Sequence, residues 1–313
     1  MTPVVVEPPQ TPPTRRPVGV IGLGAMGMGV ARTLLRKGFA VHACDVREAA
    51  RQTIAGEGAI AHETPAALAV HVDALIVLVV NAAQTEAVLF GEHGAAPALR
   101  AGATVIASST VAPEFADSLG KRLAALQLRA LDAPVSGGAA RAASGEMTIM
   151  ASGAPETFAA VEDVLGAIAA KIYRLGDTPG MGSKVKMINQ LLAGVHIAAA
   201  TEAMALGIRA GIEPNALYEV ISNSAGASWM FQNRVPHILA GDYKPLSAVN
   251  IFVKDLGIVL DSARQMTFPL PLTSAAHQMY LATSAAGLGA EDDSAVIKMF
   301  QKLTGIELPS AKD

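Results

Sequence analysis

Apolar and polar positions along the chain fall into two regimes. Up to about Tyr173, short β-like runs recur at Val18–Ile21, Ala40–Ala43, Ala74–Val80, Thr104–Ala107, Leu128–Leu131 and Met147–Ser152. Between them lie stretches of good helix formers, Ala25–Lys37, Arg47–Ala55, Pro65–Val70, Ala83–Phe90 and Glu114–Leu126. Several of the runs are apolar at every position, as in strands covered on both faces. Strand–helix alternation of this kind predicts an α/β fold built on a doubly wound, largely parallel sheet. After the loop Gly176–Gly182 the chain reads as helix throughout, beginning with a stretch from Ser183 to Ala210. That stretch is roughly 28 residues, or about 42 Å at 1.5 Å per residue. Further helices are expected to start at Pro214, Ser228, Leu246, Pro271 and Asp293. The expected organisation is a leader over 1–17, a sheet domain over 18–180, and an all-α domain over 181–313, joined by the long interdomain helix. The leader carries six prolines and no strand or helix periodicity, and is expected to be disordered. Its charge, at Arg15 and Arg16, follows rather than precedes its apolar residues, unlike a secretory signal.

Composition narrows the class. The 313 residues are 51% hydrophobic and 16% charged, and mean hydropathy is +0.38. Alanine accounts for much of that figure, at 60 residues. The longest unbroken apolar run is Ala74–Val80, far below the ~20 residues of a membrane span. A soluble, cytoplasmic protein is expected, with no membrane partner. A net charge of −3 without a basic run gives no footprint for nucleic acid. One cysteine, Cys44, excludes a disulfide framework and zinc sites built on cysteine pairs. His42, His62, His71 and His93 lack metal-ligand spacing, so no metal is expected.

Three motifs carry chemistry. Gly22-Leu23-Gly24-Ala25-Met26-Gly27 follows a strand run and opens a helix, and Asp45 ends the next strand run. Glycines there let a pyrophosphate approach the backbone at a helix N-terminus, while the acid accepts from ribose hydroxyls. This marks a Rossmann-type, dinucleotide-binding domain. Asp45 would repel a 2′-phosphate, so NAD is the expected cofactor rather than NADP, although Arg47 is of the type that accommodates that phosphate. The second motif, Asp132-Ala133-Pro134-Val135-Ser136-Gly137-Gly138, follows a strand run, where loops face the ligand crevice. The Ser136 hydroxyl and the Gly137 and Gly138 amides suit a small carboxylate or hydroxy acid. In the third, Lys186, Asn189 and Gln190 share one face at the start of the long helix. A lysine on an apolar helix is costly to bury without a task, and lysine can serve as general acid and base. Lys184 points elsewhere and reads as a solvated residue.

In this order, the motifs resemble those of the β-hydroxyacid dehydrogenase family, which includes 3-hydroxyisobutyrate dehydrogenases and tartronate semialdehyde reductases. The resemblance spans about residues 17–303. It implies cofactor contacts at Gly22–Gly27 and Asp45, and at Val79 and Val80 after the third core strand run. It further implies Thr110 on the nicotinamide side and Lys254, of Lys254-Asp255, beside the cofactor. Ser136, Gly137, Gly138, Asn189 and Gln190 are implied to bind substrate, with Lys186 as the proton-transferring lysine and Lys254 closing over the cofactor. Where many relatives carry Leu-Pro, this chain reads Val79-Val80-Asn81. That segment, with Gly145–Met150, Asn189–His196 and Ser228–Phe231, is similar to the branch that oxidises L-threonate to 2-oxo-tetronate with NAD. Tartronate semialdehyde or 3-hydroxyisobutyrate chemistry is the alternative. A non-catalytic cofactor-binding module is a remote one, since the lysine is present.

His196 reads as a core or interface histidine, and Trp229 and Phe231 as pocket or subunit-contact residues. Cys44 is expected to be buried and inert, and Asp292-Asp293 to cap the last helix. The long alanine-rich helix needs cover, so a homodimer or homotetramer is expected.

Overall fold

The structure, a computed structural model, describes residues 4–6 and 16–310, and the chain divides into two compact units, Met1–Lys186 and Met187–Asp313. In the first unit, β1 is Val4–Val6, β2 Pro17–Ile21, β3 Ala40–Cys44, β4 Ile60–His62 and β5 Ala74–Val77. Helices α1 (Ala25–Arg36), α2 (Glu48–Gly56), α3 (Pro65–Ala69) and α4 (Ala82–Phe90) connect or follow them. The chain continues through β6 (Thr104–Ala107), α5 (Pro113–Ala125), β7 (Arg129–Asp132), β8 (Val135–Ser136), α6 (Gly138–Ser144) and β9 (Met147–Ala151). Two short helices, α7 (Pro155–Ala160) and α8 (Glu162–Ile168), lead to β10 (Ala169–Arg174). Helix α9 (Met181–Arg209) leaves this unit and enters the second.

The six strands β4-β3-β2-β5-β6-β7 form one all-parallel sheet in that order. The order reverses between β2 and β5, so loops beyond the carboxyl ends there face a crevice. Strands β2, β5 and β6 are buried along nearly their whole length, which is why they read as unbroken apolar runs. Met147–Ala151, expected as a further strand of the alternation, belongs instead to a second sheet, β1-β10-β9-β8. The break comes after β7: Pro134 has no N–H to give a ladder, and Gly137 and Gly138 take φ of +130° and +71°. Strand β5 stops at Val77 rather than Val80, leaving Leu78–Val80 as loop.

The disordered-leader expectation over 1–17 falls largely outside the described residues. Among its described residues, Val4–Val6 pairs antiparallel with β10 and Pro17 belongs to β2. Three consecutive β-branched residues suit a strand, and the edge of β10 offers the backbone partners.

Small residues set one close approach. Thr33 of α1 donates its hydroxyl to Ala142 O of α6 at 2.9 Å. A Cβ placed at Gly29 of α1 would lie 2.9 Å from Ala143 N and 3.0 Å from Ala142 Cβ. The two helices touch backbone to backbone there.

His42, His62 and His71, assigned no common role by their spacing, stack on one another with centroid separations of 5.1–5.3 Å. His42 Nδ1 and His62 Nε2 share a hydrogen bond at 2.9 Å. Among the described residues no group of three or more His, Cys, Asp or Glu side chains is arranged to hold a metal ion. Burial, then the neighbouring rings, hold His42 and His62 below the ordinary imidazole value. The unfolded chain therefore binds more protons than the folded one below about pH 6.5, and stability rises with pH through that window. The melting temperature should drop as pH is lowered from about 7 to about 5, with a shallower slope in His62→Gln; equal slopes would clear the cluster of this role.

In the second unit, α9 is followed by α10 (Pro214–Ser222), α11 (Trp229–Ala240), α12 (Val249–Gln265), α13 (Pro271–Thr283) and α14 (Ile297–Thr304). By length and composition α9 is long and apolar enough to cross a bilayer, which the seven-residue limit on apolar runs did not foresee. Of its most apolar window 44% is buried within the protein. Part of the cover is close packing at Gly194, where a Cβ would meet Leu256 Cδ2 at 2.8 Å and the carbonyl accepts from Tyr280 Oη at 2.9 Å. Asp292 caps the 3-10 turn Asp293–Val296 ahead of α14 rather than α14 itself. Asp293 is buried, pairs with Arg234 at 2.5 Å, and burial pushes its carboxyl up to about 6. Phe231 is a core residue stacked on Tyr218, whereas Trp229 is 53% exposed. His196 is half-buried.

Candidate active site

The site residues expected from the first unit collect at the carboxyl ends of its parallel strands. Gly22–Gly24 follow β2, Asp45 follows β3, Val79 and Val80 follow β5, Thr110 follows β6, and the loop to Gly138 follows β7. Two glycines of the first loop have tight reasons. Gly22 has φ +94°, and a Cβ at Gly27 would sit 1.8 Å from Gly22 O, so α1 starts pressed against the loop. Gly24 faces open space, with nothing within 4 Å of a Cβ built there, and no side chain caps α1. An open helix N-terminus with uncapped amides fits a pyrophosphate.

Asp45 closes this loop onto β3. Its Oδ2 accepts from Leu23 N at 2.6 Å, and Oδ1 accepts from Arg47 N at 2.8 Å and Arg47 Nε at 3.0 Å. Burial alone would raise its carboxyl, but the hydrogen bonds from Arg47 and Leu23 outweigh that and hold it below the ordinary value. Asp45 is thus a carboxylate at neutral pH. Arg47 is engaged with it and with Leu23 O at 2.8 Å. Beside Asp45, burial pushes the Cys44 thiol up to about 11, consistent with an inert cysteine.

Lys186 is buried at 7% exposure, and its Nζ donates to Val135 O at 2.8 Å. It stands one residue from the loop position that presents Ser136, Gly137 and Gly138. Lys184, two residues earlier, is exposed as expected. Asp132, the first residue of the loop motif and absent from the expected site residues, is 3% exposed. Its Oδ2 accepts from Gly180 N at 2.9 Å and Ser183 N at 2.8 Å, and Oδ1 from Ser183 Oγ at 2.7 Å. Burial raises its carboxyl above the ordinary value against those hydrogen bonds.

In the second unit four polar side chains form a chain. Asn189 Nδ2 donates to Gln190 Oε1 at 3.0 Å, and Gln190 Nε2 donates to Asp255 Oδ2 at 2.5 Å. Lys254 Nζ stands 2.6 Å from Asp255 Oδ1, close enough for an ion pair though not aligned as a hydrogen bond. Asp255 is 1% exposed, so it fixes which way the Gln190 amide faces and neutralises Lys254 in part. Spacing on one helix face pointed to Asn189 and Gln190, but their link to α12 depends on packing that sequence does not display.

The chain is similar to known proteins over most of its length. A family model described as the NAD binding domain of 6-phosphogluconate dehydrogenase matches residues 17–176. A second, described as NAD-binding of NADP-dependent 3-hydroxyisobutyrate dehydrogenase, matches 180–300. The chain is 66% identical over 294 residues to an L-threonate dehydrogenase of Cupriavidus necator, covering 94% of this chain and 98% of the relative. An L-threonate dehydrogenase of Escherichia coli K12 is 53% identical over 296 residues, covering 94% and 97%. A crystal structure of 3-hydroxyisobutyrate dehydrogenase from Salmonella typhimurium is 53% identical and superposes with a TM-score of 0.87 over 91% of this chain and 99% of that one.

Proposed function

The chain belongs to the β-hydroxyacid dehydrogenase family of NAD-dependent enzymes, and on that premise we propose that it oxidises L-threonate at C2 to 2-oxo-tetronate. The observation that carries the chemistry is Lys186: a buried amine hydrogen-bonded to Val135 O, at the head of a loop offering one hydroxyl and two glycine amides. The choice of substrate rests on the names of the 66% and 53% identical relatives.

NAD, held by the residues assigned to it, would supply the hydride acceptor. Lys186 Nζ takes the hydroxyl proton during oxidation, its lone pair being available when the amine is neutral, while an N–H remains for Val135 O. In reduction the protonated amine returns that proton and polarises the carbonyl. Ser136, Gly137 and Gly138 hold the substrate carboxylate, and Asn189 and Gln190 supply further amide contacts. Gly22–Gly27, Val79, Val80, Thr110 and Lys254 are assigned to the cofactor. Asp45 is assigned to its ribose, which favours NAD over NADP. A homodimer or homotetramer in the cytoplasm completes the reading.

The deciding experiment is a panel of hydroxy acids with NAD, followed by NADH absorbance, with the product identified by NMR. L-Threonate should be turned over fastest and yield the 2-oxo acid. The panel includes 3-hydroxyisobutyrate, because the 53% identical crystal structure carries that name. A higher kcat/KM for that acid, or for tartronate semialdehyde in reduction, would reassign the substrate.

A further inference from the structure

We propose that Asp132 is the positioning residue for Lys186, acting by fastening the first turn of α9 to the end of β7; this rests on Lys186 being the proton-transferring group. The Asp132 carboxylate accepts from two backbone N–H groups and one hydroxyl of the segment Gly180–Ser183. It also accepts from Ser152 Oγ at 3.2 Å, and Ser152 Oγ in turn accepts from Gly182 N at 3.0 Å. Asp132 and Ser152 exchange backbone hydrogen bonds of 3.0 and 2.8 Å. One buried carboxylate thereby joins the ends of β7 and β9 to the start of α9. Contact is tight enough that a Cβ at Gly182 would lie 2.3 Å from Met150 O and 2.9 Å from Asp132 O.

The sequence spacing turns this anchor into a frame for Lys186. Ser183 precedes Lys186 by three residues, nearly one helical turn. Asp132 precedes Val135 by three as well, through Ala133 and Pro134. The hydrogen bond from Lys186 Nζ to Val135 O therefore closes a ring whose other closure is Ser183 to Asp132. One side of the ring is helix, and the other holds a proline, so neither side deforms easily. A carboxylate at a helix N-terminus also complements the dipole there. Opening the ring at Asp132 frees the first turn of α9 and with it the amine, without touching any group assigned to substrate or cofactor.

The test compares Asp132→Ala, Asp132→Asn and Ser183→Ala with Lys186→Ala in the full chain. NAD and whichever acid the unaltered protein turns over fastest are used, that acid also deuterated at its carbinol carbon. For Asp132→Ala, kcat per folded molecule should fall by about 10²-fold, the scale of a misplacement near 1 Å. Its isotope effect should rise and its Kd for NADH should hold. Asp132→Asn keeps an acceptor for the two backbone N–H groups and should recover most of the loss, with Ser183→Ala between. A merely structural role would lower the folded fraction and leave kcat per folded molecule and the isotope effect unmoved; that result overturns the proposal. Should Asp132→Ala not fold, unmoved values in Ser183→Ala and Asp132→Asn overturn it equally. Turnover surviving in Lys186→Ala would instead bring down the reading of Lys186, whereas an inactive Lys186→Ala beside a fully active Asp132→Ala brings down this inference alone.

Discussion

Lys186→Ala should turn over about 10²- to 10⁴-fold more slowly than the unaltered protein, the range supplied by a positioned acid and base, while its Kd for NADH stays within a few-fold. The amine is buried and bonded to Val135 O, so the substitution removes a group that accepts a proton when neutral and carries positive charge when protonated. Two further variants separate these. Lys186→Met keeps the bulk of the stem and should be as slow as Lys186→Ala. Lys186→Arg keeps the charge, but a guanidinium does not give up its proton near neutral pH. If proton transfer dominates, Lys186→Arg is as impaired as Lys186→Ala in oxidation; if electrostatic polarisation dominates, it retains a substantial part of the rate in reduction. Near-normal turnover in Lys186→Ala would remove Lys186 from the chemistry altogether.

Asp45→Ala should weaken NAD binding by about 10- to 100-fold, corresponding to the ~1.5–3 kcal/mol of hydrogen bonds to a charged group. NADP should lose much less, or gain. The carboxylate is ionised because Arg47 and Leu23 hold its proton affinity down against burial. Removing it takes away the partner of Leu23 N, and so loosens the glycine loop, and it also releases Arg47 from its ion pair. A freed guanidinium is a bidentate partner for phosphate. The measurement is a pair of Kd values, one for each cofactor; an unchanged NAD/NADP ratio would show that Asp45 serves the loop only, and not the ribose.

Much of this was legible in the chain because the signals are local. Glycines at 22, 24 and 27 and the acid at 45 sit at spacings fixed by a strand, a turn and a helix, and the structure keeps them at adjacent strand ends. The run Thr104–Ala107 corresponds to an observed strand residue for residue, and the strand is buried along nearly its whole length. What escaped was non-local. Ile60–His62 is a mostly exposed edge strand with no apolar signature. Strands β8 and β10 are defined by pairing with β9, not by their own pattern. The histidine stack draws on residues 42, 62 and 71, which only the β3–β4 pairing and the end of α3 bring together. Asp132 was visible as a motif residue, but its task depends on residues about fifty positions later.

The contact between α1 and α6 joins the two loops assigned above to cofactor and substrate. Helix α1 begins at the glycine loop assigned to the pyrophosphate, and α6 begins at Gly138, in the loop assigned to the substrate carboxylate. With Gly29 against Ala142 and Ala143 there is no compressible side chain between them to absorb a displacement. A displacement of α1 at this point would meet the backbone of α6 directly. If these loops hold cofactor and acid as proposed, any coupling between the two is reciprocal, each altering the other's affinity by the same factor.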